Sequence, residues 1–280
     1  MLHKHNLFNG IWAIEPGFSD NHLPRVVSFL KGDHQGVKVE QINPLTIHTQ
    51  SSSSSFLGSS GDNSSNESYI AVISISGAIT KHSQFCGPTG MAQVASILEE
   101  CYANDDITGI ILHVESGGGE FMAMRLLNEA IAGKNKPMVG FIDDFACSAA
   151  YGILSGCDLI VANSTMARIG SIGTYMSIAD YSKKLEKEGI DIKEIYATES
   201  KDKNGEVRQA LKGNLKPLQE LTDKYNNHFL QAIETNRGDK LTQSREVWGT
   251  GKVYFAEEAL ELGLIDQIDT FSNTLNYFVQ

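Results

Sequence analysis

The stretch that constrains this chain most covers residues 137–156, P-M-V-G-F-I-D-D-F-A-C-S-A-A-Y-G-I-L-S-G. It opens with a short apolar run, residues 138–142, that reads as a buried strand. The acidic pair Asp143 and Asp144 follows, and then very small side chains gather around one hydroxyl: Ala146, Cys147, Ser148, Ala149 and Ala150. Residues 151–154 continue as an apolar helix. A strand that turns straight into a helix presents the helix's first free N–H groups beside the side chain at the turn. That side chain is Ser148. Taken alone it reads as an N-cap, because Ser is a favoured capping residue.

Strands and helices alternate around this stretch. Residues 69–79 (Y-I-A-V-I-S-I-S-G-A-I) read as a strand ending near Gly77, and residues 107–114 as a second, followed at once by E-S-G-G-G-E. Residues 90–103 and 121–132 carry apolar positions at helical spacing, and a further strand is expected at 159–161. Such alternation argues for a parallel sheet with right-handed crossovers, so the fold class is α/β. Beyond Ala162 comes a small-residue bend, A-R-I-G-S-I-G-T-Y. After it we expect a polar helix at 177–188, a strand at 192–197 and a charged loop at 199–209. A long helix follows at 215–236, stopped by Arg237-Gly238, and a helix at 256–262. A terminal helix over 271–279 is available to dock on a neighbour.

The beginning of the chain reads differently. Residues 1–45 form an arm with scattered apolar positions and no sustained period, apart from a short helix or strand at 26–30. Residues 46–68 are Ser-rich and poor in apolar residues, the composition of a flexible linker. The domain proper then covers residues 69–280. With 41% hydrophobic residues it can bury a sizeable core. The net charge of −11, with no long basic run, argues against nucleic acid as the main partner. No apolar run reaches the roughly 18–20 residues that span a bilayer. The N-terminal stretch also lacks the apolar core of a signal peptide. Four cysteines (Cys86, Cys101, Cys147, Cys157) without a C-x-x-C pair suit a reducing compartment, so the expected location is cytoplasmic.

Two features bear on chemistry. Loops at the carboxyl ends of parallel strands line one crevice, so the glycine loop 117–119 and Ser148 should face each other. Glycines let backbone N–H groups approach a ligand. Gly118, Gly119 and Ala149 are thus candidates for an oxyanion hole, where donors aimed at developing charge supply much of catalysis; an ordinary tight turn is the plain alternative. A serine hydroxyl also needs a proton acceptor. His228 lies in the long helix, and the ring of His113, inside a strand, is expected to pack or face a helix. A lysine serves only where burial makes its neutral amine available. Lys201 and Lys203 lie in a polar loop, and pattern alone leaves both unassigned.

Residues 69 to about 266 resemble the signal peptide peptidase A family of Ser/Lys peptidases, relatives of Clp protease and the crotonases. V-E-S-G-G-G is similar to that family's V-N-S-P-G-G-G, A-C-S-A-A-Y to its A-x-S-G-G-Y, and A-R-I-G-S-I-G-T to its T-G-S-I-G-V. Arg237-Gly238 and G-K-V-Y-F-A-E-E-A-L-E-L-G-L-I-D resemble its R-G and its G-R-V-Y-x-G-x-x-A-x-x-x-G-L-V-D tail. The resemblance implies a Clp/crotonase-like fold of repeated ββα units, with Ser148 as nucleophile, Lys201 as base (Lys203 if the loop is shifted) and no cofactor or metal. Gly117 stands where the family has Pro, Glu120 where a small or apolar residue is usual, and Ala149 and Ala150 replace two glycines.

The Trp-containing arm G-I-W-A-I-E-P resembles that of soluble members encoded beside tailed-phage capsid genes. This implies a capsid-assembly protease acting on protein or peptide substrates, scaffold or capsid protein among them. It also implies a homo-oligomer in which the arm and the terminal helix bridge subunits. Two alternatives share the fold: a crotonase-like acyl-CoA enzyme, and an assembly protein without activity.

Overall fold

The computed structural model describes residues 11–14, 43–49, 68–83 and 87–279. The expected short element at 26–30 lies outside them, as do residues 50–67 of the expected linker. The strands are β1 (Ile11–Ile14), β2 (Leu45–Thr49), β3 (Tyr69–Ser76), β4 (Ile107–Ser116), β5 (Gly118–Glu120) and β6 (Met138–Cys147), then β7 (Leu159–Ala162), β8 (Arg168–Gly170), β9 (Tyr175–Met176), β10 (Val253–Phe255) and β11 (Gln267–Ile268). The helices are α1 (Met91–Ala103), α2 (Phe121–Ala132), α3 (Ala149–Leu154), α4 (Ser182–Lys187) and α5 (Gly205–Leu211), then α6 (Lys216–Arg237), α7 (Arg245–Trp248), α8 (Ala256–Glu261) and α9 (Phe271–Asn276).

The main sheet runs β10-β8-β6-β4-β3-β2, with β7 beside β6 and β11 beside β7. Pairs β3–β4, β4–β6, β6–β7, β6–β8 and β7–β11 are parallel, whereas β2 and β10 pair antiparallel at the edges. The sheet is thus mostly parallel and flanked by helices, as the alternation predicts. Strand β6 divides its partners: residues 139–142 pair with β7, and residues 145–147 with β8. That split carries the chain past the sheet to the Ser148 turn.

Both faces of the central strands are covered, so β4 reads as a run of apolar residues rather than an alternation. One face holds the larger core, where Leu112, Leu127, Tyr151, Phe229 and Trp248 are wholly buried. The opposite face carries Ile70, Val72, Ile111, Val139, Phe141 and Val161, closed by Phe271, Leu275 and Phe278. At Gly109 a Cβ would lie 2.2 Å from the Phe278 ring, so this strand position must be glycine for the C-terminal segment to seat. The ring of His113 stacks on Phe271 at 5.3 Å, the packing role expected of it.

Four expectations need correction. The segment 192–197 forms no strand: it has no partner edge, and Ile195 is 95% exposed. An extended segment without a ladder is not a stable strand. The polar helix is shorter than 177–188, only α4. The stretch 46–68 is not linker at its start, because residues 45–49 pair with β3 as an antiparallel edge strand. The terminal helix spends its apolar side on its own sheet, which removes the reason for it to bridge subunits.

Candidate active site

Parallel register brings the site together. Strands β4 and β6 lie side by side with Ser116 opposite Ala146, so both chains leave the sheet at the same edge. From β4 the backbone enters Gly117 and β5; from β6 it enters Ser148 and α3.

Ser148 holds the N-cap position but does not cap through its side chain. Its side chain makes no hydrogen bond to the helix it precedes, and its backbone sits at φ 56°, ψ −121°. A non-glycine residue at positive φ is uncommon and costs about 1–3 kcal/mol unless its surroundings hold it. Here they do. The Ser148 N–H donates to the Gly170 carbonyl at 2.6 Å, and Gly152 N–H donates to the Ser148 carbonyl at 2.9 Å. The residue is 1% exposed, and Oγ lies 3.5 Å from the Gly173 carbonyl oxygen. The neighbouring thiol of Cys147 is buried against the Arg168 carbonyl, so the hydroxyl is the group held at the turn.

The bend 167–174 supplies both carbonyls and is itself anchored. Ser171 N–H donates to Lys252 O at 2.7 Å, Thr174 N–H to Asn226 Oδ1 at 3.1 Å, and Thr174 Oγ1 to Thr222 O at 3.3 Å. Strand β10 and helix α6 thus position Ser148 through this bend. A second anchor is the buried pair Arg237–Asp266. Two guanidinium N–H groups meet the two carboxylate oxygens at 2.9 and 3.0 Å, and the guanidinium also donates to Gly263 O. The conspicuous Arg237 and Asp266 of the sequence are structural residues. Burial works against the charged Asp266, but hydrogen bonds from Arg237 and Lys240 outweigh it and hold the carboxyl below its ordinary range. Tyr151, under the site, donates its hydroxyl to Leu264 O at 2.7 Å, and burial pushes its phenol up.

The glycine loop is engaged on every side. Gly118 N–H donates to Ser116 Oγ at 3.1 Å. Ile79 N–H donates to Gly118 O at 2.9 Å, and Glu120 N–H to Ile79 O at 2.8 Å. A Cβ on Gly119 would lie 2.0 Å from Ile79 O, so only glycine permits that approach. The Glu120 carboxylate accepts the Lys81 N–H at 2.8 Å. Strand β5 is also paired by β1, with Ala13 opposite Gly119, a partnership that the sequence reading missed because nothing in I-W-A-I names its partner strand.

Ser148 and the glycine strand are brought together; the lysines are not. Lys201 and Lys203 are exposed, and Lys201 lines a surface cleft of about 380 Å³ with Asp202, Gly205, Arg208 and Lys212. Among the described residues no hydrogen bond joins either lysine to Ser148. His228 is exposed on α6. No helix among the described residues is long and apolar enough to cross a membrane.

A buried serine held at a strained turn, beside a glycine strand at the carboxyl edge of a parallel sheet, is the candidate site of this α/β protein. The profile of peptidase family S49 matches residues 130–279, and the chain belongs to that family. It is 26% identical to Capsid assembly protease C of Escherichia phage lambda, over 71% of this chain and 46% of that protein. It is 27% identical to Head-tail preconnector protein GP5 of Enterobacteria phage P21, over 74% of this chain and 42% of that one. Protease 4 of Haemophilus influenzae is 26% identical over 74% of this chain and 34% of its own length. The chain spans between 34% and 60% of the length of the first curated relatives it matches. Among solved structures, the 1510-N membrane-bound stomatin-specific protease aligns with a TM-score of 0.46 and 18% identity, over 74% of this chain and 82% of that one. An enoyl-CoA hydratase/isomerase family protein from Silicibacter pomeroyi aligns with a TM-score of 0.45 and 14% identity, over 75% and 77%.

Proposed function

We propose that this chain is a serine endopeptidase that cleaves extended polypeptide, with Ser148 as nucleophile and Lys201 as general base. The supporting observation is the conformation of Ser148, buried and strained, where an ordinary capping serine would relax into a hydrogen bond with its helix. In the proposed reaction the neutral Lys201 amine takes the Ser148 hydroxyl proton as Oγ bonds to the scissile carbonyl carbon. The oxyanion is held by the N–H groups of Gly119 and Ala149, because the Gly118 N–H already donates to Ser116 Oγ. Collapse breaks the C–N bond, and the ammonium returns its proton to the leaving amine. Water then attacks the acyl-enzyme, giving one proton to the amine; release of the acid passes that proton back to Ser148 Oγ.

For Lys201 to act, its loop must close toward Ser148. Segment 178–215 exposes Ile190, Ile192, Ile195, Leu211 and Leu215, an apolar surface that suits a second copy of the chain. We propose that assembly into a homo-oligomer folds this segment onto the site and supplies the burial a lysine base requires. The substrates we propose are capsid or scaffold proteins, on the strength of the phage relatives' names.

A labelled fluorophosphonate tests the nucleophile. Capture that is abolished by Ser148→Ala, together with loss of casein cleavage by at least about 10³-fold, is expected. Lys201→Arg should be inactive, because Arg cannot accept the proton, whereas Lys203→Arg should retain most activity. Unchanged cleavage by Ser148→Ala refutes the assignment; the reverse behaviour of the two lysine variants moves the base to Lys203.

A further inference from the structure

Strand β1 is the middle strand of a separate three-stranded antiparallel sheet, β5-β1-β9. Trp12, Ala13 and Ile14 face Glu120, Gly119 and Gly118, and on the other edge Ile11 and Trp12 face Met176 and Tyr175. Ile79 already uses the Gly118 carbonyl and the Glu120 N–H. In an antiparallel ladder backbone groups alternate sides, so the N–H and C=O that Gly119 turns toward β1 are matched by those of Ala13. The two outer strands belong to the site described above. Strand β5 is the glycine strand, and β9 begins two residues after Gly173, whose carbonyl lies 3.5 Å from Ser148 Oγ. Among the described residues, these two short strands are joined within this sheet only through β1. The main sheet is complete without it.

Without β1, β5 and β9 would be two facing strand edges separated by the width of one strand, about 9–10 Å. Such a slot recognises main chain, and it accepts an extended peptide of varied sequence by pairing on both sides. We infer that residues 11–14 of this chain occupy the slot between β5 and β9 as an internal competitor that an extended substrate must displace. The inference rests on the peptidase reading for its consequence, since an occupied slot keeps Gly119 from any substrate. Four residues paired only through short strands form a unit that opens at low cost. A tethered occupant has an effective concentration in the millimolar range, so it suppresses weak ligands and yields to strong or multivalent ones.

The test uses the full chain and needs no turnover, so that it stands apart from the fate of the peptidase reading. Ala13→Pro removes the N–H that faces Gly119 and places a ring against β5. In a Ser148→Ala background, a fluorescein-labelled peptide of residues 10–16 (G-I-W-A-I-E-P) should bind the Ala13→Pro chain at least about 10-fold more tightly than the chain with Ala13 intact. Equal affinity, or binding to neither, overturns the inference. Hydrogen exchange supplies the second arm. The Gly119 amide should exchange at least about 10-fold faster in Ala13→Pro, with the amides of β4 unchanged as proof of fold, and should regain protection when the peptide is added. In the unaltered chain, excess peptide should raise exchange at the Ala13 amide itself. This last measurement does not depend on any variant folding, and its failure also refutes the displacement.

Discussion

At the scale of single residues, the side chains of the family-like motifs divide into those that face the site and those that hold the frame. Arg237 is 2% exposed and its charge is met by Asp266. Removing one partner of a buried pair leaves the other uncompensated, which costs about 3–5 kcal/mol. Asp266→Asn should therefore lower the urea midpoint of unfolding by that free energy at pH 7 without moving the fluorophosphonate label from Ser148. The sign of its pH dependence follows from the depressed carboxyl. The stabilisation is fully present above the unfolded aspartate pKa of about 3.9 and is lost as pH falls through the lower folded value. In acid titrations between about pH 5 and pH 2 the variant should lose less stability than the unaltered chain; a parallel loss in both would show that the pair does not govern acid unfolding.

At the scale of elements, short pieces do the positioning. Helix α3 is six residues long, too short to be stable alone, and is fixed because all six are buried under α2 and α6. The C-terminal segment performs the matching task on the other face, where Phe278 sits over Gly109. Phe278→Ala leaves that glycine without a cover. We expect a loss of about 1–3 kcal/mol, below the usual cost of a fully buried Phe because this ring is only partly enclosed. Ser148 labelling should be unaffected, since the site lies with the other core. A change in labelling rate without a change in denaturation midpoint would contradict this division of the two faces.

For the molecule as a whole, the exposed apolar run between 178 and 215 is the feature that a lone chain leaves unsatisfied. Ile195 at 95% exposure and Ile192 at 64% are unusual for isoleucine, which is among the residues most often fully buried. In sedimentation at micromolar concentration the chain should run as an oligomer, and Ile192→Lys with Ile195→Lys should shift it to monomer and slow labelling of Ser148. Full labelling of a stable monomer would refute the proposed link between assembly and the site.

The alternation of strands and helices, the serine at the strand-to-helix turn and the glycine loop were legible in the sequence because each depends on neighbours within a few residues. The parallel order of β4 and β6 then puts Ser116 and Ser148 at one edge, which is why the two halves of the site are paired in the sequence pattern itself. Contacts between distant segments were not legible. No local pattern distinguishes a capping serine from one pulled to positive φ by Gly170, 22 residues further on, and none marks residues 11–14 as the partner of a glycine strand more than a hundred residues away. The isoleucines at 192–197 have the composition of a strand, yet a strand exists only where a neighbouring edge offers hydrogen bonds. Local chemistry thus determined which residues stand at the turn and in the loop; the packing of distant segments decided which of their N–H groups are free, which are engaged, and what lies across them.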